Sequence, residues 1–126
     1  MVLVDTSVLV EGLTGPRRAA PAIRSAIQNG ELLLLPALVL YEWLRGPRSS
    51  DELADQETLF PSEHALPFEA EDAALSARLY RSVRRPRGRE IDLAIAACAI
   101  HRGAPLWTAN RADFADIPGL TLYQAR

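Results

Sequence analysis

Met1-Val2-Leu3-Val4-Asp5-Thr6-Ser7 opens the chain with an apolar run that stops at a carboxylate followed by two hydroxyls. Leu3 to Asp5 reads as a short strand. Thr6 or Ser7 can cap the helix that Val8-Leu9-Val10 begins. In an open parallel sheet, ligands bind outside the carboxyl ends of the strands. An aspartate in that place is a candidate site residue, and equally a candidate helix cap. The strand alone does not choose between the two.

Outward from this stretch, strands and helices alternate. Gly12, Gly15 and Pro16 break the first helix, and a second is expected over Arg17 to Asn29, with Ala22, Ile23, Ala26 and Ile27 at helical spacing. Leu32-Leu33-Leu34-Leu35 suits a strand buried on both faces. Pro36 then starts a helix over Ala37 to Leu44. Another helix fits Ser49 to Phe60, entered through Ser50. Ala65-Leu66-Pro67-Phe68 is a weak strand, at an edge because Pro67 has no N–H to donate. Glu69 to Arg84 is an amphipathic helix. After an arginine-rich loop, Glu90 to Arg102 is a helix apolar all round, and therefore buried. Pro105 to Thr108 is a strand, Asn110 to Phe114 a turn or short helix, and Leu120 to Tyr123 a last strand. Such alternation means βαβ units around a parallel sheet covered on both faces.

The chain has 126 residues, 48% of them hydrophobic, which suits one domain over 1–126 with a real core. No apolar run approaches the ~20 residues needed to span a membrane, and no signal-type leader opens the sequence. A cytoplasmic protein without a membrane partner is expected. Cys98 is the only cysteine, so an internal disulfide and a cysteine-based zinc site are excluded, and His64 and His101 lack metal-ligand spacing. Net charge is −2, yet all 14 basic residues are arginine, six of them between Arg78 and Arg89. That segment is either a solvated face or a local contact for a polyanion.

Most of the 16 acidic residues keep polar company. Glu52, Asp55, Glu57, Glu69, Glu71 and Asp72 read as exposed helix faces. Four do not. Asp5 ends a strand. Glu42 lies between Tyr41 and Trp43 in an otherwise apolar helix, within reach of Arg45. Asp92 immediately precedes the apolar run of its helix. Asp113 follows a strand, in Thr108-Ala109-Asn110-Arg111-Ala112-Asp113-Phe114. Each has an ordinary explanation as a cap, an ion-pair partner or a turn residue. Together they fall where a doubly wound sheet gathers its carboxyl edge. Four carboxylates there repel one another, and a hard divalent cation removes the conflict. With oxygen ligands only, Mg²⁺ or Mn²⁺ is the natural choice. Thr6, Ser7, Thr108 and Asn110 can supply neutral oxygens or orient water. Such a cluster serves to bind a phosphodiester and activate water, with Arg85, Arg87 and Arg89 positioned to hold flanking phosphates.

These residues resemble the PIN-domain ribonucleases, and among them the VapC-type toxins of toxin–antitoxin pairs. Val4-Asp5-Thr6-Ser7-Val8-Leu9 is similar to the family's first motif, Pro36-Ala37-Leu38-Val39-Leu40-Tyr41-Glu42 to the second, Gly88-Arg89 through Asp92-Leu93-Ala94-Ile95-Ala96-Ala97 to the third, and Thr108 through Phe114 to the fourth. Four motifs in order, in a chain of this length, are specific where one is weak. The resemblance implies a single three-layer α/β/α PIN-like domain with a five-stranded parallel sheet in the order 3-2-1-4-5. It implies a Mg²⁺- or Mn²⁺-dependent endoribonuclease with Asp5, Glu42, Asp92 and Asp113 as metal and catalytic acids. It also implies a homodimer, and inhibition by a VapB-type antitoxin that sends an extended segment, often basic, toward the acidic pocket. Exposed apolar residues on the helices at Pro36–Leu44 and Ser49–Phe60 are the expected dimer surface. A PIN-fold module that binds RNA or protein without catalysis is the alternative. A phosphotransfer receiver is disfavoured, because receivers rely on a lysine and this chain has none.

Overall fold

Val2, Leu3 and Val4 form the central strand of the sheet, β1 (Val2–Val4), with all three side chains buried. The computed structural model describes residues 1–15 and 20–125. Helix α1 (Thr6–Leu13) and helix α2 (Pro21–Gln28) lead to β2 (Leu33–Leu34). Helices α3 (Ala37–Arg45) and α4 (Ser50–Leu59) follow, then a 3₁₀ turn at Ser62–His64. Helices α5 (Ala70–Ser82) and α6 (Glu90–His101) precede β3 (Leu106–Trp107) and the short α7 (Arg111–Phe114). The expected helix start at Arg17 lies outside the described residues; α2 begins at Pro21, with Ala20 in its N-cap position.

The sheet is parallel, in the order β2-β1-β3, with Val2 opposite Leu33, Leu3 opposite both Leu34 and Leu106, and Val4 opposite Trp107. The expectation of five strands in the order 3-2-1-4-5 is therefore corrected to three strands among the described residues. The outer two segments each make one isolated parallel bridge, Leu66 to Pro36 and Leu122 to Leu106. The reason is local chemistry. Leu66 exchanges hydrogen bonds with Leu35 and Ala37 (2.8 and 2.7 Å), but the flanking Pro36 and Pro67 have no N–H with which to extend the ladder. On the other side, Leu106 exchanges bonds with Thr121 and Tyr123 (2.9 and 2.8 Å). There β3 is cut short between Pro105 and Thr108, whose hydroxyl is drawn to Asp5.

Most helix contacts fall into two groups, α1 with α2, α3 and α4, and α5 along α6, and α3 meets α6 between them. The chain moves outward from β1 through β2 to Leu66, then returns past β1 to β3. Right-handed crossovers put the two groups on opposite faces. Leu3, Val4, Leu9, Val39, Trp43, Leu93, Ile95 and Leu106 fill the core between them. Every residue of α6 from Leu93 to Ala99 is buried, as its uniformly apolar sequence requires.

One acid read as exposed is not. Asp72 is 0% exposed. Its Oδ1 accepts from Arg102 Nη1 at 3.0 Å and lies 2.7 Å from His101 Nδ1, while Oδ2 accepts the backbone N–H of Glu69 at 2.8 Å. Burial alone would raise its pKa, but these donors outweigh it and hold the carboxyl below the ordinary range. The Arg102 guanidinium also donates to Glu69 (3.1 Å) and to the carbonyls of Cys98 and Pro67 (both 3.0 Å), tying α5 to α6.

Candidate active site

Asp5 sits at the tip of β1 in the N-cap position of α1, yet its side chain makes no capping bond. The carboxylate is only 4% exposed. Its Oδ2 accepts the hydroxyls of Ser7 and Thr108, each at 2.8 Å. Each hydroxyl in turn accepts a backbone N–H, Ser7 Oγ from Ala109 (2.9 Å) and Thr108 Oγ1 from Asn110 (3.0 Å). The two protons are spent on Asp5, so the 3.2 Å approach of Ser7 to Thr108 is contact without donation. The hydroxyl-rich turns after β1 and β3 thus lock together around one carboxylate.

Glu42 reaches the same place from α3. Its neighbour Trp43 is 0% exposed and anchors the helix in the core, with the Arg48 guanidinium 4.0 Å above the indole ring. Glu42 Oε1 accepts Thr6 Oγ1 at 2.7 Å, which aims it at the cleft. Arg45, one turn on, is a looser partner at 3.5 Å and largely exposed, so it neutralises little.

Asp92 lies in the first turn of α6. Asp5, Glu42 and Asp92 line one open cleft of about 460 Å³ with Thr6, Ser7, Glu11 and Asn110. Among the described residues, no lysine, arginine or histidine lines it. The electrostatic result is visible at Asp92, whose pKa is pushed up to about 6. Burial is the largest cause, followed by the charges of Asp5, Glu42 and Asp113, with Arg89 opposing. The donor set fits a hard cation: all oxygens, like charges in excess, and one acid whose pKa burial and those charges raise.

Asp113 is placed differently. It is exposed on α7 and does not line the cleft, though its charge is felt at Asp92. Thr108 is buried behind Asp5. Arg85 and Arg87 are exposed in the loop before α6, whereas Arg89 donates to Asp116 and to the carbonyl of Asp113. Glu11 was not singled out by sequence; its one signal is a position four residues beyond Ser7, a helical turn along the same face. Ligand atoms of Glu69, Asp72 and His101 lie within 4.8 Å of one another, but Arg102 already bonds both carboxylates. That group is a closed ion-pair network, and a cation there would have to displace a guanidinium.

Comparison with known proteins fits this geometry. The profile of the PIN domain family matches residues 2–120. The chain is 37% identical over 122 residues to ribonuclease VapC19 of Mycobacterium tuberculosis, covering 95% of this chain and 97% of that protein. Among solved structures, DNA-bound VapBC of Salmonella typhimurium superposes with a TM-score of 0.80 at 21% identity, covering 97% and 96% of the two chains. VapBC2 of Rickettsia felis, bound to a promoter fragment, gives 0.74 at 19% identity and 98% coverage of both. With profile, relative and fold in agreement, the chain belongs to the PIN-domain family, on its VapC branch.

Proposed function

We propose that the chain is a Mg²⁺- or Mn²⁺-dependent endoribonuclease, the toxin of a type II toxin–antitoxin pair, acting as one domain over 1–126. The observation that carries this reading is the convergence of Asp5, Glu42 and Asp92, from β1, α3 and α6, on one cleft that no basic residue among those described lines. Asp5 and Asp92 are the nearest cation ligands, with Glu42 and Asp113 completing the shell directly or through water. When bound, the cation lowers the pKa of a water and offsets charge on the phosphodiester. Ser7 and Thr108 occupy Asp5 Oδ2 and so hold Oδ1 as the oxygen left for the cation. Thr6 holds Glu42 in place, and Asn110 offers a neutral oxygen or amide at the cleft wall. Arg85 and Arg87 are exposed beside α6 and suit flanking phosphates. The name of VapC19 as a ribonuclease supports an RNA substrate, and the VapBC complexes among the solved neighbours support a VapB-type antitoxin. An antitoxin segment with a basic residue would match the acidic cleft. A homodimer is expected, and Tyr41 and Leu44 of α3 and Leu53 of α4 are exposed apolar residues suited to it. The working compartment on this reading is the cytoplasm.

The test is cleavage of a cellular RNA pool with Mg²⁺ or Mn²⁺. EDTA should abolish cleavage, and Asp5→Asn should lower the rate on the order of 100-fold or more, since a Lewis-acid contact worth several kcal/mol is lost. Cleavage that survives both refutes the mechanism. Retained RNA binding with no cleavage and no Mn²⁺ binding would instead favour a catalytically silent PIN-fold module.

A further inference from the structure

Arg89 directly precedes α6, three residues before Asp92. By sequence it groups with Arg85 and Arg87, but its surroundings differ. Its side chain is 21% exposed. Nη1 and Nη2 donate to the two carboxylate oxygens of Asp116 at 3.0 and 2.6 Å, a bidentate pair. Nη2 also donates to the backbone carbonyl of Asp113 at 2.9 Å. Asp116 lies just beyond α7, the four-residue helix that carries Asp113. A helix that short has no stability of its own, and no side-chain cap fastens its start.

We propose that Arg89 and Asp116 form a clasp that fixes α7 to the start of α6 and thereby positions Asp113 relative to Asp92. Arg89 is then a positioning residue of the acidic cleft, not a contact to substrate. The chemistry favours arginine: its planar fork spans a carboxylate and a carbonyl at once, which a lysine ammonium cannot reproduce in the same geometry. Asp116 also gives the guanidinium a partner outside the cleft, so the charge is not drawn in among Asp5, Glu42 and Asp92, where it would compete with a cation. With the Asp116 side chain 51% exposed, solvent screens the pair, and it adds little to global stability. The clasp therefore acts locally, on where α7 sits.

This inference rests on the metal-dependent reading, but its test separates the two. Arg89→Ala, Arg89→Lys, Asp116→Ala and the double variant Arg89→Ala/Asp116→Ala are compared with the wild-type protein. Amide hydrogen exchange over residues 111–117 is followed without metal, where the amides of Asp113 and Ile117 bond to Asn110 and Phe114. Mn²⁺ affinity is read from the spectrum of the free ion. Both alanine variants should exchange faster across α7 and bind Mn²⁺ about tenfold more weakly, the loss typical of an orienting partner. Their melting midpoints should barely change. The double variant should be no worse than the worse single one, and lysine should restore the function only in part. Unchanged exchange over 111–117 in both alanine variants overturns the clasp. So does an Arg89→Ala variant that loses RNA affinity alone, with α7 exchange and Mn²⁺ affinity intact. A wild-type protein that binds no Mn²⁺ would defeat the metal reading, and the clasp would then be judged on exchange alone.

Discussion

Asp5 shows how much one residue's partners decide. A strand-end aspartate before a helix is usually a cap, and sequence left that role open. The hydroxyls of Ser7 and Thr108 take its Oδ2 instead. Ser7 was legible as a polar neighbour two positions on; Thr108, 103 positions away, was legible only through the motif it heads. Removing either hydroxyl leaves a backbone N–H and a buried carboxylate short of a partner. Ser7→Ala and Thr108→Val should each lower stability by about 1–3 kcal/mol in urea unfolding, the cost of an unmade buried hydrogen bond. Each should also weaken Mn²⁺ binding by roughly tenfold or more, measurable by calorimetry, because Asp5 is then free to rotate. Glu11 and Asp116 escaped notice because nothing in their immediate sequence separates them from solvated acids. Their roles depend on which way a helix face turns and on a partner far along the chain.

At the scale of elements, α6 was the easiest to read and α5 the most misleading. A run from Leu93 to Ala99 with no polar break must be buried on all sides, and it is. In α5, Asp72 looked like one more polar residue in a first turn. Its burial follows from Arg102 and His101 at the far end of α6, a pairing across 30 positions that periodicity does not encode. The consequence is testable. Arg102→Met leaves a buried carboxylate without its cation and should cost about 3 kcal/mol or more, since breaking one side of a buried pair is the expensive change. Chemical denaturation with both circular dichroism and tryptophan fluorescence would measure it. The outer strands were legible as segments but not as strands. Leu66 and Leu122 do reach the sheet, yet prolines and short partners hold each to one bridge.

For the whole molecule, the acidic cleft is a standing charge on stability. Asp92 titrates near pH 6 in the folded protein, against an ordinary value of 3.8. Between those values Asp92 holds more protons in the native state than in the unfolded one, so its own contribution to the metal-free protein should become more favourable as pH falls from about 6 toward 4, opposite in sign to that of Asp72. Above about pH 6 the unfavourable contribution is present in full. Asp92→Asn removes it. In EDTA at about pH 7.5 that variant should melt above the wild type, with the gap narrowing toward about pH 4. Saturating Mn²⁺ should reverse the order, because only the wild type gains the full binding free energy. Melting curves across pH, with and without the ion, check all of this; a gap between wild type and Asp92→Asn that stays constant from acid to neutral pH in EDTA would contradict it.

The hydrogen bond from Thr108 to Asp5 spans 103 positions and closes the cleft, and β1 gains its second neighbour only at Leu106 and Trp107. Asp5 is thus synthesised well before the partners it needs. A nascent chain carries its first two acids long before it has a cleft to put them in. The same holds for fragments: a cut in the stretch between α4 and α5 would leave one piece with Asp5 and Glu42 and another with Asp92 and Thr108. Neither piece is a site alone, and only their reassociation around β1 would rebuild one.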